Sequence, residues 1–275
     1  MRGFAAALSI AVLSGAGCAH FGTPAVREIV WQGEVVVRGT VLIAKDERLV
    51  IRPGTRVRFA FLDENGDGTG DSRIEVKGSV LARGTEGAPI EFAPEKSGGA
   101  DAGGWDAVLI EDAASAEFSH CRFAGAQQAV HAHRTPLLVE RNLFERNGIG
   151  LRFTGGPVTI RGNRFAANGT AVRYWESSPE LTANRFEGNA TGVFIREGSA
   201  RSVVTGNNFI SSADYHIKLG ESQSADVDAR DNWWGTTRRE EIERLIFDHE
   251  DAGYLGRVRY EPLAPAPLRL TDERK

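Results

Sequence analysis

The middle of the chain repeats a short pattern of alternating apolar and polar residues. Segments such as Gly150-Leu151-Arg152-Phe153 alternate with a period of two, which predicts strands rather than helices. One phenylalanine marks the same point of each repeat, with spacings of 21, 21, 21 and 23 residues, at Phe123, Phe144, Phe165, Phe186 and Phe209. The chain is therefore expected to return to one register about once every 21 residues.

This spacing predicts a β-helix, because a strand that returns to the same register must stack in parallel on the previous one, about 4.8 Å away. The phenylalanines would then form an inward stack. Asparagines at fixed phases would stack at bends, each amide bonding to the next; they are Asn142, Asn163, Asn184 and Asn207, with a second row at Asn147, Asn168 and Asn189. A leucine-rich horseshoe, which has a similar period, needs a leucine lattice that the sequence lacks.

The beginning of the chain has the layout of a secretory signal. Met1 and Arg2 precede an apolar run from Phe4 to Leu13, and small residues lead to Cys18. The apolar run is too short to span a bilayer. The small residues before Cys18 resemble the lipobox of bacterial lipoproteins, which implies a lipid on Cys18; cleavage without lipidation is the alternative. A lipidated Cys18 would leave only Cys121, so no intramolecular disulfide could form.

The repeats resemble the right-handed parallel β-helix superfamily, which includes pectate lyase-like proteins and bacterial surface or periplasmic β-helix lipoproteins. Residues 49–59 and 74–85 are similar to opening coils of such proteins, and residues 231–236 are similar to a closing coil. Trp233 and Trp234 are expected to cover the last apolar layer. Thr237-Arg238-Arg239-Glu240 fits a capping box and predicts a short C-terminal helix through about Phe247.

The predicted fold class is all-β, a single-stranded right-handed parallel β-helix of about 21 residues per coil with a short C-terminal capping helix. The predicted division is a lipoprotein signal peptide at 1–17, an N-terminal tether at 18–30, the β-helix at 31–265 and a C-terminal tail at 266–275.

The net charge of the chain limits the classes of partner that it is expected to bind. The net charge is −4 with a pI near 5.9, so the strongly basic footprint of a dedicated nucleic-acid binder is missing. Any basic patch must be local, and we expect no nucleic-acid partner.

One local patch follows from the repeat. Positions eight and ten residues after the phenylalanine alternate with apolar neighbours and therefore point outward. They give the candidate ligand-binding residues His131, His133, Arg152, Arg173, Trp175 and Arg196, with Lys218 after a small insertion. Stacked cations repel, and an anionic ligand would relieve the repulsion. Guanidinium groups suit carboxylates and Trp175 offers a face for a sugar ring, so an acidic polysaccharide fits. Solvated surface arginines are the alternative.

The resemblance to pectate lyase-like enzymes implies an arginine or lysine base beside calcium-binding acids, which makes Arg152 and Arg173 the weak catalytic candidates. Asp214 and Glu176 are the only carboxylates near this row, and no paired carboxylates are visible. The expected function is a non-enzymatic cell-envelope lipoprotein that binds or organises carbohydrate, most simply an anionic polysaccharide. The alternatives are a polysaccharide lyase or epimerase, and a structural or adhesion protein without a small ligand. The expected location is secreted and lipid-anchored, in the outer membrane or periplasm or on the cell surface, with the membrane as partner.

One loop carries the pattern of a metal site. Oxygen donors alternate as in the first half of a calcium loop, at Asp63, Asn65, Asp67 and Asp71, but the glutamate of the twelfth position is replaced by Ile74. This loop is compatible with either a structural Ca²⁺ site or a plain turn. We expect that the protein requires no cofactor. His131 and His133 also permit a metal, although the single methionine in the chain argues against copper.

Overall fold

The computed structural model describes residues 26–96, 102–220 and 222–269. The predicted signal peptide at 1–17 and the lipidation candidate Cys18 lie outside the described residues. Within them, every pairing between strands is parallel, and each strand pairs with the corresponding strand of a neighbouring coil. The described residues contain no helix that is both long enough and apolar enough to cross a membrane.

Each coil has three sides, and the first side forms a ten-stranded sheet. Its strands are β1 (Arg27–Trp31), β4 (Glu47–Ile51), β7 (Ser79–Arg83), β10 (Ser115–Ser119), β13 (Leu137–Glu140), β16 (Val158–Arg161), β19 (Glu180–Thr182), β21 (Val203–Thr205), β23 (Val227–Asp228) and β25 (Val258–Arg259). Pro136, Pro157 and Pro179 each directly precede a strand of this side, where no ladder hydrogen bond is lost.

The second and third sides belong to one continuous sheet, because β20 and β22 run through both. The second side contains β2 (Glu34–Val37), β5 (Arg56–Phe59), β8 (Ile90–Pro94), β11 (Cys121–Ala124), β14 (Leu143–Glu145) and β17 (Arg164–Ala166). The third side contains β3 (Thr40–Ile43), β6 (Arg73–Val76), β9 (Trp105–Glu111), β12 (Ala126–His133), β15 (Ile149–Thr154), β18 (Thr170–Trp175) and β24 (Ile246–Phe247). The two strands shared by both sides are β20 (Arg185–Ile195) and β22 (Asn208–Leu219).

The predicted phenylalanine stack is confirmed. The rings of Phe144 and Phe165 are parallel with centroids 4.9 Å apart, and the other neighbouring pairs of the five are stacked at 4.8–5.1 Å. Phe92 extends the column at one end and Trp234 extends it at the other, at 4.5 and 4.9 Å. All these rings are fully or almost fully buried, so the column is the centre of the apolar core.

The two asparagine rows are confirmed as ladders inside the bends. The Asn163 side-chain amide donates to Oδ1 of Asn184 at 3.0 Å and to the carbonyl of Val139 at 2.9 Å. Its own Oδ1 accepts from the side-chain and backbone nitrogens of Asn142. Asn232 continues this ladder beyond Asn207. Buried amides therefore satisfy one another from coil to coil.

The C-terminal end closes differently from the prediction. Of the two tryptophans expected to cover the last apolar layer, Trp234 is buried and stacks on Phe209, whereas Trp233 is only half-buried. The helix α1 spans only Arg239–Glu243, and its N-cap Arg238 makes no side-chain capping hydrogen bond, so the capping-box prediction is wrong. The chain leaves the helix early because Ile246 and Phe247 pair in parallel with β22 and complete a last rung.

The boundaries at both ends also differ from the predicted division. Residues 27–30 were placed in the tether, whereas they belong to β1 and pair with β4. The tail contacts the body, because the side chain of Asn208 exchanges two hydrogen bonds of 2.8 Å with the backbone of Leu268.

Candidate functional site

The predicted outward residues form two adjacent columns on the third side. In the first column, parallel register joins His131 to Arg152, Arg152 to Arg173, Arg173 to Phe194 and Phe194 to Lys218. The register shifts between β20 and β22, where Phe186 to Thr191 face Phe209 to Tyr215, give β22 one extra residue and bring Lys218 into line. The second column runs from His133 through Thr154 to Trp175, with Arg196 in the next coil. We call these residues the cationic strip.

The cations of the strip lie against aromatic rings. The guanidinium carbon of Arg152 is 5.1 Å from the centroid of Trp175, and that of Arg196 is 5.3 Å from the same ring. The guanidinium carbon of Arg173 is 5.1 Å from the Phe194 centroid. Because aromatic faces attract cations, these rings hold the charged groups in fixed positions on the strip.

Lys218 is surrounded by three rings at the upper end of the strip. Its Nζ is 5.4 Å from the centroid of Phe194, 5.6 Å from Tyr215 and 5.7 Å from Phe247. It makes no ion pair within the described part of the chain. The repeat spacing does not identify Tyr215 or Phe247 as members of the site. Their positions depend on the bulge in β22 and on the chain passing through α1, which residue counting cannot follow.

Arg152 is a half-buried cation whose hydrogen-bond partner is neutral. Its Nη1 donates to Oε1 of Gln128 at 2.9 Å, and no carboxylate of the described residues pairs with it. Its pKa is lowered by burial and by the positive charges of Arg173 and Arg196. The pKa of Arg173 is lowered by burial and by Arg196, against an opposing effect of Glu197. The strip therefore concentrates like charge in a partly desolvated place.

The two histidines contribute rings rather than charge near neutral pH. Burial, followed by the charge of Arg152, lowers the pKa of His131 to about 3. Burial also lowers the pKa of His133. Their ring centroids are 4.4 Å apart. The positive charge of the strip therefore comes from its arginines and Lys218.

Trp175 differs from the free stacking platform that the sequence suggested. Besides the two guanidiniums, it contacts the His133 ring edge-on at 6.2 Å. Thr154, the member of its column one coil below, is buried. The ring is therefore part of the packing that orders Arg152 and Arg196.

Some carboxylates lie near the arginines of the strip. Glu197 pairs with Arg196 at 3.3 Å, and the sequence candidates Glu176 and Asp214 are exposed. Arg152 has no acid partner in residues 26–96, 102–220 and 222–269.

The candidate calcium loop is held by its own backbone. The carboxylate of Asp63 accepts hydrogen bonds from the amides of Gly66, Asp67 and Gly68, and Oδ2 of Asp71 accepts one from Glu64. Among the described residues, no group of three or more His, Cys, Asp or Glu is arranged to hold a metal ion. A structural Ca²⁺ site in this loop, with Asn65 and backbone oxygens among its ligands, therefore stays a prediction.

The strip is an open surface. Three cavities lie elsewhere on the described part of the chain, with volumes of about 1310, 530 and 440 Å³, and none of them is lined by a residue of the strip. The side chains stand side by side on parallel strands. Such a surface suits an extended ligand better than a compact one, because small-molecule sites are concave.

Parallel three-sided coils with an aromatic core column and asparagine ladders define a β-helix solenoid. In agreement, residues 99–233 match the family model described as the right handed beta helix region. The chain thus contains a right-handed parallel β-helix domain, as its sequence predicted. No curated protein and no solved structure matches the chain.

Proposed function

We propose that this protein is a non-enzymatic cell-envelope lipoprotein whose cationic strip binds an acidic polysaccharide. One observation carries the proposal. Arg152 and Lys218 are cations packed on aromatic rings, and neither has a carboxylate partner in the described residues. Most other arginines of the described surface pair with acids, such as Arg83 with Glu117.

The charge arrangement favours an anion. The strands that carry Arg152 and Arg173 are neighbours, about 4.8 Å apart, and burial of the guanidinium groups weakens the screening of their charges by water. A carboxylate between Arg152 and Arg173 would offset both the repulsion and the desolvation, and it could accept paired hydrogen bonds from a guanidinium fork.

The shape of the strip favours a polymer. Its first column crosses five coils from His131 to Lys218, which is about 19 Å at the strand spacing of a parallel sheet. A linear polysaccharide lying along the axis would meet one outward position per coil.

The sequence supports the proposed location and lipid anchor. The secretory layout before Cys18 supports export, lipidation and anchoring in the outer membrane, in the periplasm or on the cell surface. An envelope location would bring the strip into contact with acidic polysaccharides, and the lipid would make the membrane a second partner.

Affinity electrophoresis through gels containing polygalacturonate tests the proposal. We expect retardation of the wild-type protein and a loss of about tenfold or more in affinity for the double variant Arg152→Ala, Arg173→Ala. Arg83→Ala and Arg230→Ala are matched controls, because both arginines are ion-paired away from the strip. Equal retardation of all variants, with unchanged melting temperatures, would exclude the strip as the binding site.

A parallel assay separates binding from catalysis. With calcium present and a panel of uronate polymers, we expect no new unsaturated ends. Their appearance with wild-type protein, and their disappearance with the double variant, would establish the lyase alternative instead.

A further inference from the structure

A second cation-rich surface lies at the bend between the first and second sides. It is a groove of about 530 Å³ lined by residues of five successive coils, so it runs parallel to the solenoid axis. Four arginines line it, namely Arg122, Arg141, Arg164 and Arg185, and Glu86 is its one carboxylate. We call it the corner groove.

The repeat places these arginines in two lines. Arg122, Leu143, Arg164 and Arg185 occupy one outward column of the second side, in parallel register. Arg141 lies in the bend itself, with a left-handed backbone at φ 53°. The groove therefore alternates charged groups with the apolar side chain of Leu143, a combination that suits the polar and apolar faces of a sugar chain.

Charge separates this groove from the other two cavities. The C-terminal cavity contains four arginines against seven carboxylates. The cavity on the first side has an apolar lining apart from Arg48, Arg83, Glu117 and two serines. The corner groove is thus the one of the three with a clear excess of positive charge, on a chain whose net charge is −4.

The arginines of the corner groove differ in the ion pairs that hold their side chains in place. Arg164 and Arg185 both donate to the carboxylate of Glu187, which orients them. Arg141 is 3.7 Å from Glu140, a distance longer than a hydrogen bond. Arg122 is exposed and has no ion-pair partner in the part of the chain that the structure describes. Arg122 and Arg141 are therefore the groups best placed to meet an external anion.

The corner groove and the cationic strip belong to the same coils but to different surfaces. Arg122 and His131 share one coil, and so do Leu143 and Arg152. In a three-sided coil, the bend between the first and second sides lies across from the third side. A ligand chain in the groove would therefore leave the strip free for another chain.

We propose that the corner groove is a second binding site for an acidic polysaccharide segment, so that one protein molecule bridges two polysaccharide chains. This inference rests on the proposed function of the strip, which it extends from binding one chain to cross-linking two. The groove holds its segment by guanidinium pairs from Arg122 and Arg141 to sugar carboxylates, with Leu143 against the apolar face of a ring.

Titration calorimetry with a short oligogalacturonate tests the second site. We expect two oligomers per wild-type protein, one for Arg122→Gln with Arg141→Asn, one for Arg152→Ala with Arg173→Ala, and none for the fourfold variant. Asparagine at position 141 suits the left-handed backbone there, and melting temperatures check folding. Arg83→Gln and Arg230→Gln are controls that line the other two cavities.

The outcomes distinguish the two proposals. One oligomer on wild-type protein, lost with the strip variant and retained by the groove variant, would overturn the bridging proposal alone. One oligomer lost only with the groove variant would overturn the strip proposal and leave the groove as the binding site. Absence of any binding would overturn both.

The bridging of two polysaccharide chains can be measured separately by light scattering. Mixing wild-type protein with long polygalacturonate is expected to raise light scattering, because each molecule joins two chains. Either double variant should bind the polymer without this rise. A rise that persists in the groove variant would contradict bridging through the corner groove.

Discussion

At the scale of single residues, we expect the side chains of the ladder asparagines to contribute strongly to the stability of the fold. The side chain of each one makes at least three hydrogen bonds with other polar groups, and that of Asn163 makes five. For Asn163→Ala, the backbone and side-chain amides of Asn142 would lose their acceptor, and the carbonyl of Val139 would lose its donor. We expect the free energy of unfolding to fall by about 3 kcal/mol, because each buried unsatisfied group costs ~1–3 kcal/mol.

Urea unfolding followed by circular dichroism measures this loss. Asn65→Ala is the matched control, because Asn65 is exposed in the loop before β6. A decrease no larger than that of the control would mean that the ladder hydrogen bonds contribute little.

Two buried histidines predict how stability depends on pH. Burial is the main cause that lowers the pKa of His131 to about 3 and that of His216 to about 4, from an ordinary value of 6.5. The unfolded chain therefore binds protons at a higher pH than the folded chain. Their contribution to stability is complete above pH 6.5 and is lost as the pH falls toward about 4 and then 3.

Thermal melting between pH 7 and pH 4 tests this dependence, with a lower melting temperature expected at each more acidic step. The variant His131→Phe should flatten the curve, and the ring of Phe194 in the same column shows that phenylalanine fits there. Parallel curves for the two proteins would show that His131 does not take part. The variant His249→Phe would be unsuitable as a control, because Nδ1 of the half-buried His249 lies 3.0 Å from the carbonyl oxygen of Leu255.

The core and strip residues could be predicted from sequence for one reason. Residues at a fixed spacing along the chain lie in one column of the solenoid. The neighbours of Phe165 and Asn163 therefore follow from the sequence alone. The contacts of Trp175 could not be predicted in this way. Spacing gives the column of a side chain, but the way a long side chain leans across columns depends on packing. Thr154 is small and buried, and the arginines beside Trp175 turn toward its ring.

At the scale of elements, the turns between the sides of a coil determine where glycine is required. Gly156 has φ +73°, and an added Cβ would lie 2.6 Å from the backbone oxygen of Thr135 in the coil below. Gly206 has a similar φ of +66°, but an added Cβ would meet nothing within 4 Å. Substitution of Gly206 therefore tests backbone strain alone, whereas substitution of Gly156 tests strain together with the close approach of Thr135.

We expect Gly206→Ala to lower the free energy of unfolding by about 1 kcal/mol, the cost of a left-handed backbone for alanine. Gly156→Ala should cost about 1–3 kcal/mol more, because a backbone atom must also move. Urea unfolding of both variants measures the difference. Equal losses would show that the coils at Thr135 separate freely.

The short C-terminal helix shows a limit of local signals. Thr237 and Glu240 have the spacing of a capping box, yet the helix begins at Arg239 without a side-chain cap. The competing demand is non-local. Ile246 and Phe247 must reach β22 to extend the third side, which leaves too few residues for a longer helix. A pattern of four residues contains no information about that distant strand.

At the scale of the whole molecule, contacts join neighbouring coils, so a change at one end should remain near that end. Trp234 covers the last phenylalanine of the column, and Trp234→Ala would expose the ring of Phe209. We expect faster hydrogen exchange in β22 and β23 and unchanged exchange in β14, which lies three coils away or more.

Hydrogen exchange with mass spectrometry resolves these segments. Tyr254→Ala is the control, because Tyr254 is a large exposed ring near the same end. A uniform increase along the whole chain would show that the solenoid unfolds as one cooperative unit. No increase near the end would show that Trp234 is dispensable as a cover.

The repeat also makes length an adjustable quantity. Ladder partners from Asn142 to Asn184 are separated by 21 residues, and each such segment brings its own phenylalanine, two ladder asparagines and outward positions on both surfaces. Duplicating one segment would lengthen the molecule by about 4.8 Å while every buried group still met a neighbour of its own kind. Reach could therefore grow in whole steps by gene duplication, with no redesign of the interior.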